Sequence, residues 1–146
     1  MPVVNGWDAF FLFEGAAPGL DEAMLNHVVH ALAGKGYTAT PIRRGSSGME
    51  ACVTVSRGSL RVAICCELSG PECESQLDLW HVPPWFWERI LGRVPLPGEV
   101  DEALGEIREA ASSVLDASSS VSRVVWRTTK ESAAHFIQRA QRKTNA

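Results

Sequence analysis

Cys65, Cys66, Cys73 and His81 fall within 17 residues, and cysteine with histidine is the donor chemistry of a zinc site. The spacing argues against it. Structural zinc sites pair their ligands roughly two to four residues apart and then repeat the pair, and this chain has no C-x-x-C. Neighbours Cys65 and Cys66 point to opposite faces of a strand, so they cannot share one ion; Cys66 is expected in the core and Cys65 half-buried. His27 and His30 are neighbours on a helix but lack an accompanying carboxylate motif. His27 interrupts an apolar stripe and is expected as a hydrogen-bonded core histidine.

Nucleophilic catalysis needs a thiol or hydroxyl beside a base. Cys73 with His81 is the candidate, but the flanking Glu72 and Glu74 oppose a thiolate. Glu50 and Glu67, with Arg61 on the same strand face, resemble the start of a metal-dependent nuclease site. Such a site wants a lysine two residues after the acid, whereas Glu67 is followed by Leu68 and Ser69. A solvated face with a weak ion pair is expected instead. Neither G-x-G-x-x-G nor G-x-x-x-x-G-K-[ST] occurs. No catalytic set, metal site or cofactor emerges, and an enzyme would need a dispersed site drawn from Glu50, Glu67, Cys73, Asp78 and His81.

The unusual feature is aromatic. Residues 80–87 read WHVPPWFW and hold three of the five tryptophans. On a helix begun at Pro84, successive side chains point about 100° apart, so Trp85, Phe86 and Trp87 cannot all face one core. Phe86 with Ile90 is expected inward, Trp87 with Leu91 beside them, and Trp85 towards solvent near Arg89. An exposed tryptophan beside an arginine is the composition of an interface hot spot. The expected binding surface is Trp80, Trp85, Trp87, Arg89 and Arg61, with an acidic rim from Glu72, Glu74 and Asp78.

The elements that must carry these residues follow from periodicity. Residues 7–14 (WDAFFLFE) form an apolar run of strand length, buried on both faces and so central in a sheet. Leu20, Ala23, Met24, His27, Val28, Ala31 and Leu32 make a helical stripe over 20–33, stopped by Gly34 and Gly36. Residues 37–43 are a short edge strand, because Pro41 cannot donate a ladder hydrogen bond. Residues 49–68 are a hairpin. A turn at Arg57–Gly58 places Ala51, Val53, Val55, Leu60, Val62 and Ile64 on one side, with Val55 facing Leu60 and Glu50 opposite Cys65. Residues 69–75 are a loop, 76–82 a strand, 84–91 a short helix and 94–98 a linker. Residues 99–117 are a helix with Val100, Ala103, Leu104, Ile107, Ala111, Val114 and Leu115 on its apolar face. Residues 121–127 alternate as a strand. A last helix starts at the capping box Thr128–Glu131 and carries Phe136, Ile137 and Ala140 inward. The order predicts an α+β fold: a largely antiparallel sheet of about five strands covered by three to four helices, packed in layers as a single domain. The β-α-β start allows one parallel pair.

Composition bounds the function. Net charge is −3, and apolar residues make up 45%. Nucleic-acid binding, which rests on phosphate neutralisation, is not expected of such a chain. Residues 67–109 hold ten acids against three arginines, and residues 110–146 six bases against two acids. That layout suits a dipolar surface steering a charged, basic partner. No apolar run reaches the roughly 18 residues of a membrane span and no leader is visible, so a cytoplasmic protein with reduced cysteines is expected. The combination points to a non-catalytic protein-binding module of bacterial type, an inhibitor, a toxin-neutralising immunity protein or a chaperone. A small hydrolase or transferase, or a small-ligand carrier walled by the tryptophan cluster, is the alternative.

Overall fold

The computed structural model describes residues 9–15, 17–45, 48–68 and 75–128. Among them the chain runs β1 (Ala9–Glu14), α1 (Leu20–Ala33), β2 (Thr38–Ala39), β3 (Arg43–Arg44), β4 (Glu50–Arg57), β5 (Leu60–Glu67), β6 (Ser75–His81), α2 (Phe86–Ile90), α3 (Pro97–Ala117) and β7 (Ser122–Thr128). The strands form one sheet in the order β2-β4-β5-β6-β1-β7, with β3 also on β4. The architecture is α+β as expected. The edge strand is split in two around Pro41, which raises the strand count to seven. The described pairings are all antiparallel, so the parallel pair that a β-α-β start permits is absent among them. Instead α1 carries the chain from β1, the neighbour of β7, to the opposite edge of the sheet. The expected helix after Thr128 lies outside the described residues, as do Cys73, Glu72 and Glu74.

Alternation along the strands sorts the sheet into two faces. Phe11, Phe13, Ala51, Val53, Val55, Leu60, Val62, Ile64, Cys66, Leu77 and Leu79 lie on the face covered by α1 and α3 and form the core with Met24, Leu25, Val28, Ile107 and Leu115. β1 sits between β6 and β7, and Phe10 and Leu12 on its second side are buried too. That agrees with its continuous apolar run.

The hairpin keeps the expected faces but not the expected pairing. Arg57 faces Leu60, which makes Gly58–Ser59 the two-residue turn. Gly58 has φ +67 whereas Ser59 does not take a positive φ, the pattern of a type II′ turn with glycine first. Moving the turn by one residue shifts the pairing by two and leaves each side chain on its own face. Val55 therefore faces Val62, Glu50 faces Glu67, and Cys52 faces Cys65.

The stripe of α1 is rotated from its expected position. Leu20, Met24, Leu25, Val28 and Leu32 are buried, while Ala23, His27 and Ala31 are exposed. His27 is thus not a core histidine. Asp21, in the first turn, is buried because Arg44 reaches it with two nitrogens, at 2.9 and 3.0 Å. Helix α3 starts two residues earlier than expected, with Pro97 in its first turn, where proline is tolerated. Its inward side chains are Ala103, Ile107, Ala110, Ala111 and Leu115, with Val100, Leu104 and Val114 partly buried. At the turn end of the hairpin, the Tyr37 hydroxyl donates to Glu106 Oε1 at 3.1 Å and the Arg57 guanidinium lies 4.4 Å from the Tyr37 ring centroid. Arg57 also pairs with Glu106 at 3.0 Å, so one network ties sheet, α1 exit and α3 together.

Candidate interaction surface

The segment from Pro83 to Leu96 holds the short helix α2, closed at both ends. Pro83 and Pro84 hold the entering chain extended, and Trp85 keeps φ −62 and ψ 154 before the first helical turn. The Glu88 carboxylate accepts the Trp85 backbone N–H at 2.8 Å, capping the N-terminus. At the other end Gly92 takes φ +72. Its N–H bonds the Arg89 carbonyl at 3.2 Å and the Arg93 N–H bonds the Glu88 carbonyl at 2.8 Å, which is a Schellman closure.

What turns this helix is an ion pair. Arg61 projects from β5 on the face away from α1 and α3, and its two terminal nitrogens meet the two Glu88 oxygens at 2.7 and 2.9 Å. Glu88 is only 3% exposed and is the buried residue of α2. A fork-to-fork pair of this kind fixes orientation as well as distance. The Arg61 guanidinium, helped by the Trp85 N–H, holds the Glu88 carboxyl below the usual carboxylate range. The same pairing pushes Arg61 further towards its charged form.

With the acid turned in, the apolar side chains turn out. Trp85 is 61% exposed, Phe86 77%, Trp87 51% and Ile90 68%, and Leu91, Val94 and Leu96 are exposed as well. The expected inward pair, Phe86 with Ile90, is therefore overturned. Seven large apolar side chains reach solvent within the twelve residues 85–96. Exposed Arg89 and Arg93 lie within the segment, and exposed Glu99, Asp101 and Glu102 begin α3 behind it. A cleft of about 430 Å³ between the hairpin turn and this segment is lined by Ser59, Glu88, Arg93, Val94, Pro95 and Glu99.

The remaining sequence-predicted residues are placed as follows. Trp80 is half-buried on β6 opposite Ala63. Asp78 is buried, facing Cys65 on one side and Phe10 on the other, so it belongs to the interior of the sheet and not to a rim. Arg61 is engaged with Glu88 instead of lining the surface. Of the dispersed enzymatic set, Glu50, Glu67 and Asp78 share the sheet face away from α1 and α3, His81 lies on the opposite face of β6, and Cys73 lies outside the described residues. Sequence reasoning missed Phe86, Ile90, Leu91, Val94 and Leu96 as surface residues; the signal was the lone acid, Glu88, in an otherwise apolar turn.

Two further features differ from expectation. Cys52 and Cys65 form a disulfide, and Cys65 is buried. The corrected hairpin pairing explains this by setting the two side by side. Cys66 is a buried free thiol as expected, its pKa pushed up mainly by burial. An apolar groove of about 710 Å³ opens between α1 and α3, lined by Ala23, His27, Ala31, Ala110, Ser113 and Val114 among others. It contains no tryptophan, so it is not the aromatic pocket envisaged for a ligand carrier. No helix among the described residues is long and apolar enough to cross a membrane. Compared with known proteins, the chain matches no family model and no curated sequence, and the functional reading rests on its own geometry.

Proposed function

We propose that the protein is a non-catalytic binding module that engages another protein through the aromatic segment 85–96, acting as an inhibitor or chaperone by covering the surface it docks on. The observation that supports this is the inverted polarity of α2: a buried, arginine-paired glutamate beneath Trp85, Phe86, Trp87 and Ile90 in solvent. Contiguous exposed apolar surface of this kind marks interaction sites. Tryptophan and arginine are the side chains that dominate interface energetics. The two closures of α2 add preorganisation, since little conformational freedom is left to lose on docking.

The test compares the wild-type chain with a W85A/F86A/I90A variant, both immobilised and exposed to native host extract. The expected result is a protein retained by the wild type, lost by the variant, and rebound by the wild type when purified. Equal retention by both chains, with the variant's melting curve unchanged, would show that the segment is not the interface. Sedimentation of the purified wild type alone distinguishes a second copy of this chain as the occupant.

A further inference from the structure

The face of the sheet away from α1 and α3 carries chemistry that the aromatic surface does not use. Cys52 on β4 faces Cys65 on β5, and Cys65 faces Asp78 on β6. Two residues along, Glu50 faces Glu67. Residues two apart on a strand share a face, so two sulfurs and three carboxylates occupy neighbouring positions of one patch. Glu50 Oε1 lies 3.0 Å from Cys52 Sγ. One carboxylate oxygen of Glu50 and the sulfurs of Cys52 and Cys65 all lie within 4.8 Å of one another. Cys65 is buried, and Glu50 and Cys52 are half-buried.

We propose that, once the Cys52–Cys65 disulfide is reduced, Cys52, Cys65 and Glu50 bind one thiophilic divalent cation of the zinc class, so that disulfide and metal are alternative states of the same site. The donor set selects the metal class. Two thiolates and a carboxylate suit zinc, which binds sulfur at about 2.3 Å and takes a fourth ligand from water or a nearby oxygen. Calcium and magnesium need a shell of oxygens that a dithiol site does not supply. The positions are held by two paired eight-residue strands, so the ligands are positioned before the ion arrives.

The steps balance. A dithiol or phosphine reductant delivers two electrons to the sulfur–sulfur bond, two protons are taken up, and two thiols form while the reductant is oxidised. Metal binding then releases those two protons and forms two thiolate–metal bonds. The site does not depend on the aromatic surface, and neither proposal falls with the other.

The test uses the full chain with Cys73→Ser as background, reduced with a phosphine under inert gas and titrated with Co²⁺ as a spectroscopic stand-in for zinc. One equivalent of Co²⁺ is expected to give thiolate-to-metal charge-transfer absorption that Zn²⁺ then bleaches. The disulfide form is expected to give none, as are C52S and C65S. Glu50→Gln, which keeps both thiols, is expected to weaken binding about tenfold or more. Reduced wild type without the charge-transfer band, Cys65→Ser binding as well as wild type, or Glu50→Gln binding unchanged would overturn the assignment. Far-UV circular dichroism of each variant separates lost binding from lost fold. The disulfide form is a control that needs no substitution.

Discussion

Truncating Phe86 or Ile90 to alanine tests the inverted polarity of α2 without any partner in hand. Full burial of a large apolar side chain contributes about 1.5–3 kcal/mol. Phe86 keeps 77% of its surface in solvent and Ile90 68%, so only about a quarter to a third of that contribution is present at either position. Each alanine variant is expected to lose less than about 1 kcal/mol. Ile107, wholly buried under the sheet, is the reference; Ile107→Ala removes the same atoms from the core and is expected to lose about 2–5 kcal/mol. For a chain of this size 1 kcal/mol corresponds to roughly 2–4 °C in Tm. Guanidinium denaturation followed by far-UV circular dichroism gives the three values without relying on tryptophan emission near the substituted sites. Losses of about 2 kcal/mol or more at both Phe86 and Ile90 would mean that these side chains are packed, and the proposed interface would have no surface to act through.

Four more outcomes follow from other parts of the fold. Tyr37 is the only tyrosine, and burial together with Glu106 raises its pKa from 10.0 to about 12. Its ultraviolet titration should centre near 12 in the folded chain, move down in Glu106→Gln, and be accompanied by stability lost as pH rises from about 10 towards 12, where only the unfolded state has released the proton. Replacing Glu88 by leucine should leave Arg61 without its partner and free α2 to reorient, seen as faster hydrogen exchange at the Arg89 and Arg93 amides; unchanged exchange would show that the ion pair does not orient the helix. Gly58→Ala should cost about 1–2 kcal/mol from backbone conformation alone, because φ is +67 and the new methyl meets open space. Gly105→Ala, equally unobstructed inside α3, should instead stabilise by up to about 1 kcal/mol.

The parts of this fold that were legible in the sequence are those set by local alternation. The FFLF run announced a strand buried on both sides, and the hairpin's even–odd pattern assigned every side chain to its face. Turn position was not legible in the same way, since Arg57–Gly58 and Gly58–Ser59 give identical faces; the glycine-first preference of a type II′ turn is the cue that separates them. That one-residue difference decides whether Cys65 meets Glu50 or Cys52. In helix α1 the count of apolar positions favours a stripe with His27 and Ala31 inward, but Leu25 contributes more apolar area and draws the helix round. The inversion of α2 depends on Arg61, 27 residues earlier in the chain, and no window over 84–91 contains the arginine that pulls Glu88 inside.

The broken rim formed by β2 and β3 has a consequence for how molecules of this protein meet. Each piece is two residues long, with Pro41 between them, and the gap is closed by Thr40, whose N–H bonds the Thr54 carbonyl at 2.9 Å while its hydroxyl accepts the Thr54 N–H at 3.0 Å. The outer hydrogen-bonding groups of β4 are thereby used up along most of its length. An incoming extended peptide finds no continuous ladder to extend on that flank, which guards against runaway fibre growth from this side of the sheet.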